Sequence, residues 1–262
     1  MKILALIGSY RKNGNTSQVV NLVCEALQTE ADRAGAALEI ETLYLGHLDI
    51  GFCRGCRACF DRGEDKCPLK DDLLMVKTKM KAVDAVLIAT PVYVDDVSGI
   101  TKTWIDRLAH VCHRPEFAGK CAYLLATVGS TPTGRTLGTL RLALSTWGFH
   151  ITGKAGFKTG ALMKPEQMRA SHAAEAEKIA RQIYRDVSAR KWARPSFMSL
   201  FMFKIQQHAW QRTKYRDTLD YAYWSGQGWT DPARDFYIPH EASRVKVALA
   251  RLAGAMIAPF VT

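Results

Sequence analysis

No stretch of this 262-residue chain reaches the roughly 18 uncharged apolar residues that a membrane-crossing helix needs. Met1 and Lys2 lead straight into Ile3-Leu4-Ala5-Leu6-Ile7, without the charged region, long apolar segment and cleavage site of a secretory leader. Two familiar phosphate loops are also missing. Five residues separate Gly8 from Gly14, and Asn15 stands where a Walker loop needs lysine. The G-x-G-x-x-G fingerprint of dinucleotide binding is absent. Acids are scarce, 25 Asp and Glu against 36 Lys and Arg, for a formal net charge of +11. That balance favours anionic cofactors, acidic proteins or an anionic membrane face. No nucleic-acid motif accompanies it, so no nucleic-acid partner is expected. Nothing indicates an oxidising compartment, so the seven cysteines argue against a disulfide framework and for a cytoplasmic protein. Cys24, Cys112 and Cys121 fall in expected helix or strand and read as buried thiols.

What is present begins with the cysteines. Cys53, Cys56, Cys59 and Cys67 form C-x2-C-x2-C-x7-C-P, with Gly55 and Gly63 to let the backbone bend. Three cysteines at this spacing can fold around a small object. Tight runs ending in C-P recur in bacterial ferredoxins, where thiolates hold a cubane cluster. With no second run in the chain, Cys67 is the natural fourth ligand of a [4Fe–4S] cluster. Zinc accepts four cysteines as well, although its usual signature is two separated C-x2-C pairs. A loop with relic cysteines also stays open. Arg54 and Arg57 either offset cluster charge or are solvated.

A second signal lies at the start. Residues 2–8 read as a buried strand, and Val19, Val20, Val23, Ala26 and Leu27 recur at helical spacing. Between them lies Gly8-Ser9-Tyr10-Arg11-Lys12-Asn13-Gly14-Asn15-Thr16-Ser17. Strand, glycine-polar loop and helix is the layout of an anion site, because free N–H groups at the helix start face the ligand. With the two other phosphate loops excluded, a terminal phosphate monoester, as on FMN, fits best. A capped surface turn is the plain alternative.

Further strands are expected at residues 38–43, 85–91, 122–127 and 149–157. Helices are expected at 71–81, 100–110, from about 136 to 146, and 165–190. Alternating strands and helices predict an α/β fold with a parallel sheet covered on both faces. Five such units fit the flavodoxin-like order 2-1-3-4-5. Ligands in that fold sit at the carboxyl ends of strands 1, 3 and 4. The loops near 9–17, 91–98 and 128–135 fall there.

With these loops and the cysteine motif, the chain resembles an iron–sulfur flavoprotein, within the flavodoxin-like NAD(P)H-dependent FMN reductases. The likeness covers residues 1 to about 190, expected as an FMN-binding domain. It implies that Ser9, Arg11, Asn13, Gly14, Asn15, Thr16 and Ser17 hold the FMN phosphate. Pro91, Val92, Tyr93, Val94 and Ser98 then border the ring side, with Gly129 and Ser130 in the next loop. Val94-Asp95-Asp96 departs from the aromatic and small residues usual beside the flavin, and Gly129-Ser130 lacks the usual double glycine. The resemblance implies a homodimer or homotetramer, with a ferredoxin-like carrier or NAD(P)H as electron partner. A cluster-free NAD(P)H-dependent FMN or quinone reductase is the first alternative. A non-catalytic or membrane-docked electron carrier is the second.

Residues 191–262 are expected to form a separate extension. They hold 13 of the 25 aromatic residues and ten Lys and Arg against five Asp and Glu. An apolar helix is expected after Pro195, then irregular aromatic-packed structure around Tyr221 to Trp229. In a final helix Val245, Leu249, Leu252, Met256 and Phe260 share one face. That face is expected to pack on the core or a sister subunit, to lie on anionic lipid as a peripheral contact, or to dock a redox partner.

Overall fold

A computed structural model describes residues 1–161 and 163–261; Leu162 and Thr262 lie outside the described residues. Five parallel strands build the sheet: β1 (Lys2–Ile7), β2 (Glu39–Tyr44), β3 (Ala85–Tyr93), β5 (Cys121–Val128) and β6 (His150–Lys158). Their spatial order is β2-β1-β3-β5-β6. Leaving aside β4 (Asp96–Val97), that is the flavodoxin-like order 2-1-3-4-5. The difference lies in β4. The segment expected as a loop after Pro91 is a hairpin, in which β3 runs on to Tyr93 and β4 pairs back antiparallel, Val92 with Val97 and Tyr93 with Asp96.

Strand residues alternate between two cores, as the two-residue period requires. Leu4, Leu6, Val86, Ile88 and Leu124 face one way. They pack with Trp104 of α4 (Gly99–Arg107), Leu140 of α5 (Gly134–Thr146) and Val76 of α3 (Leu73–Ala82). Ile3, Ala5, Ile7, Leu87 and Leu125 face α1 (Asn15–Arg33) and α6 (Pro165–Ser188). The helix expected over 100–110 stops at Arg107 and continues as a 3-10 turn at Ala109–Cys112. Among the described residues no helix is long and apolar enough to cross a membrane.

The extension has its own core of Leu200, Phe203, Trp210, Trp224, Trp229, Phe236 and Ala250. It comprises α7 (Phe197–Trp210), α8 (Leu219–Gly226) and α9 (Arg244–Val261). Helix α8 corrects the expectation of irregular structure there. Thr218 caps it by accepting from the Tyr221 N–H, and such a cap restores a partner that a helix start lacks. The extension is joined to the sheet domain at residues 112–114. The Trp224 indole donates to the His113 carbonyl at 2.7 Å, and the Gln206 amide to the Cys112 carbonyl at 3.2 Å.

Trp224 is fully buried and sits edge-on to Trp229 and Tyr237. Replacing it with alanine is expected to cost about 3–5 kcal/mol, as for other large aromatic truncations. Urea denaturation followed by far-UV circular dichroism checks this.

Candidate functional site

Two cavities are lined by consecutive residues of the segment after β2, the first at the carboxyl ends of β1 and β3, the second among the cysteine loop, the start of α3 and the end of α4. The first, about 510 Å³, is lined by Gly8, Ser9, Tyr10 and Arg11 from the loop after β1 and by Tyr93, Ser98 and Gly99 from the hairpin. Gly51 and Phe52 close a third side. The second, about 270 Å³, is lined by all four cysteines of the motif, with Glu64, Asp71, Arg107 and His110. Gly51-Phe52 and Cys53 are consecutive, so a single stretch of backbone separates the two spaces.

Buried hydroxyls fix the first cavity. Ser98 caps α4 and donates to the Gly8 carbonyl at 2.6 Å, which ties the two ligand-side loops together. Thr101 and Thr90 complete the cluster. Gly8 must be glycine, because a Cβ there would lie 1.8 Å from Thr101 Oγ1. Helix α1 begins after Gly14 with no side-chain cap and no acid in its first turn. Its N-terminal N–H groups and positive dipole end therefore suit an anion.

The hairpin tip is tight. Val94 and Asp95 have φ of 49° and 60°, the pair of positive values that a type I′ turn requires. A β-branched residue there is strained. Thr136 holds the tip by donating to the Asp95 carbonyl at 3.2 Å. Val94 itself stands in solvent.

The cysteine loop folds inward through left-handed backbone at Gly55, Arg57 and Gly63. Cys53 and Cys56 are exposed; Cys59 and Cys67 are half-buried. Burial pushes the Cys59 thiol up, and neighbouring Cys53 and Cys67 push it further. Two buried arginines support them. Arg107 donates to Cys67 Sγ at 3.7 Å and grips Asp71 with both arms, at 2.5 and 3.1 Å. It also donates to the Gly51 carbonyl at 2.8 Å, while Asp71 accepts from the Gly51 N–H at 3.0 Å. Burial raises the Asp71 carboxyl, but Arg107 and these amides outweigh it and hold the group below its usual range. Arg114 donates to the Cys59 carbonyl and pairs with Asp220 of the extension at 2.9 Å.

Glu64, between the third and fourth cysteines, anchors the loop from behind. It meets buried His110 at 3.0 Å and buried Lys77 at 2.6 Å. Lys77 also pairs with Glu116. The ammonium lies among Glu64, His110 and Glu116, so this cluster reads as a closed ion-pair network. The bond from His110, then that from Lys77, holds the Glu64 carboxyl down at about 2 despite burial. By contrast, burial raises Cys24 and Cys121 to about 12, and raises Cys112 as well. Cys121 is buried and Cys24 and Cys112 are half-buried, and none of the three lines either cavity.

A profile of the NADPH-dependent FMN reductase family matches residues 1–161. The chain belongs to the NADPH-dependent FMN reductase family. It is an FMN-dependent oxidoreductase. It is 26% identical over 229 residues to an iron-sulfur flavoprotein of Archaeoglobus fulgidus, covering 87% of this chain and 99% of that one. It is 30% identical over 137 residues to an iron-sulfur flavoprotein of Methanosarcina thermophila, covering 52% and 67%. Its match to a further relative, from Methanocaldococcus jannaschii, spans about half of that protein's length, 51%. A solved oxidoreductase from Corynebacterium diphtheriae shares the fold, with TM-score 0.50, 22% identity and coverage of 71% and 98%.

Within this FMN reductase, the residues picked from sequence divide. Ser9, Arg11, Tyr93 and Ser98 line the larger cavity, and Pro91 and Val92 lead into it along β3. Asn13, Gly14, Asn15, Thr16 and Ser17 do not line it. The Asn15 amide donates to Thr159 at 2.9 Å and Gly160 at 3.2 Å, Thr16 meets Thr127 at 2.6 Å, and Ser17 donates to the Arg11 carbonyl at 2.8 Å. These three shape the loop. Gly129 and Ser130 are exposed past the end of β5. Arg57 pairs with Asp61 at 2.9 Å. The sequence reading missed the contacts of Arg107 and Arg114 to the cysteine loop and the pairing of Arg107 with Asp71. Their partners lie tens of residues away, and no spacing rule links them.

Gly8→Ala is expected to destabilise the fold by about 1–3 kcal/mol through overpacking against Thr101, checked by the urea midpoint. Glu64 has a folded-state pKa depressed from 4.5 to about 2. It therefore stabilises the fold above about pH 4.5, and this contribution is lost as pH falls towards 2. The stability gap between the wild type and Glu64→Gln is expected to close over that window, measured by urea unfolding at several pH values.

Proposed function

We propose that this FMN reductase holds a [4Fe–4S] cluster on Cys53, Cys56, Cys59 and Cys67. It would pass electrons between a ferredoxin-like one-electron carrier or NAD(P)H and an acceptor. The observation that carries the reading is the shared wall: Gly51 and Phe52 line the FMN-sized cavity, and the next residue, Cys53, lines the cavity ringed by four thiols. Four soft sulfur donors around one space, with a guanidinium 3.7 Å from Cys67 Sγ, fit an anionic thiolate-held group. The names of the Archaeoglobus and Methanosarcina relatives support the same assignment.

Bound FMN exchanges electrons in pairs or singly, and a bound cluster exchanges them singly. The chain's own residues position both. Ser9 and Arg11, which line the larger cavity, take the FMN phosphate; Asn13 to Ser17 give the loop its shape. Pro91, Val92 and Tyr93 border the ring, and Ser98 fixes the hairpin to Gly8. Arg107 donates to Cys67 and offsets charge at the thiolates, the role the sequence had offered to Arg54 and Arg57. The exposed rings of Tyr10, Phe52 and Tyr93 support a homodimer or homotetramer in which a second copy covers the mouth of the flavin cavity.

Protein prepared without oxygen is expected to show FMN absorption with about four irons and four sulfides per chain. Cys56→Ala should keep FMN but lose the iron and the one-electron exchange with ferredoxin. Zinc in place of iron, or unchanged exchange in the variant, refutes the cluster assignment. In that case turnover of NAD(P)H with a quinone identifies a cluster-free reductase.

A further inference from the structure

Helix α9 is packed the wrong way round for a helix that seeks a core. Its buried face is Ala250, Gly254 and Ala258, set against α7. A Cβ at Gly254 would lie 2.7 Å from the Lys204 Cβ, so no larger side chain fits that face. The helix therefore cannot roll its bulky residues inward. Val245, Leu249, Leu252, Met256 and Phe260 are between 54% and 89% exposed. At 100° per residue they fall within a stripe about 80° wide, directly opposite the small-residue face. The stripe is about 22 Å long. Phe197, Met198 and Met202 of α7 are exposed as well. An apolar surface of this extent marks a contact rather than scattered surface residues.

Charge identifies the occupant. Residues 242–262 contain Arg244, Lys246 and Arg251 and no Asp or Glu. Arg251 is paired with Asp235 at 2.5 Å, and Arg194 with Glu241 at 3.0 Å. Arg244 and Lys246 make no ion pair among the described residues. Lys246 flanks the apolar stripe, and the chain as a whole carries +11. A second copy presenting its own α9 would bring the same cations, and residues 242–262 hold no acid to meet them. An anionic lipid surface supplies both the apolar phase and the negative charge. The helix does not qualify as a membrane span, so it would lie in the interface plane, with the lysine and arginine stems reaching the headgroups.

We propose that α9, with the exposed edge of α7, docks this protein peripherally on anionic membranes. This inference stands on the extension alone and does not depend on the cysteine loop binding a cluster. Its test is co-sedimentation of the full-length protein with vesicles of phosphatidylcholine alone and of phosphatidylcholine mixed with phosphatidylglycerol. Binding to the mixed vesicles is expected to be roughly tenfold tighter or more, and to weaken with salt. The double variant Leu249→Asp, Met256→Asp should lose vesicle binding while keeping the wild-type flavin spectrum and urea midpoint, because both side chains face solvent. Arg244→Glu with Lys246→Glu should lose the preference for anionic vesicles. Absence of binding at low salt, or equal binding to both vesicle types, overturns the proposal. So does a wild-type oligomer that the double aspartate variant dissociates without any vesicle binding, since the face would then cover a second copy.

Discussion

The buried pair of Arg107 and Asp71 holds together three segments that share no secondary structure. The carboxylate receives both guanidinium arms, the Gly51 N–H and the Leu73 N–H. The guanidinium also reaches the Gly51 carbonyl and Cys67 Sγ. Taking two charges out of water is costly unless every lone pair and proton finds a partner. Here the partners are the backbone on either side of the wall between the two cavities. The pair thus fixes the end of α4 to the start of α3 and sets the position of Gly51-Phe52-Cys53. Both cavities are lined by the segment it holds.

The cysteine loop has little regular structure to support it, only one helical turn at Ala58–Asp61 and a 3-10 turn at Glu64–Lys66. Charge networks take the place of a sheet or a long helix. Lys77 and His110 hold Glu64 from one side, and Asp220 holds Arg114 against the Cys59 carbonyl from the other. Asp220 belongs to the extension, so residues 191–261 help to brace the loop that carries the thiols. The extension also exposes the apolar stripe of α9. One appendage therefore meets the cysteine loop through Asp220 and Arg114 and carries that stripe as well.

Local chemistry wrote much of this fold into the chain. The strands at 2–7, 85–91 and 122–127 are near-continuous apolar runs, which is what burial on both faces of a parallel sheet demands. The C-x2-C-x2-C-x7-C-P spacing with Gly55 and Gly63 placed four sulfurs around one cavity, because the bends needed are short-range and glycine-permitted. The hairpin at Val94-Asp95 was not legible. A type I′ turn is normally signalled by Asn-Gly or Asp-Gly, and a β-branched residue at φ 49° is held there by distant Thr136 rather than by its own preference.

The sequence by itself determined the strands, their alternation with helices and the thiol set, since each depends on periodicity or spacing within a few residues. Tertiary structure alone decided which polar groups face the cavities. Asn15 and Ser17 turned to Thr159 and to the Arg11 carbonyl, while Arg107 and Arg114 arrived from remote positions to meet the cysteine loop. It also decided the rotation of α9. The amphipathic pattern marked an apolar stripe but not the side it would face. That was settled by Lys204 lying against Gly254, a close approach that only the small-residue face allows.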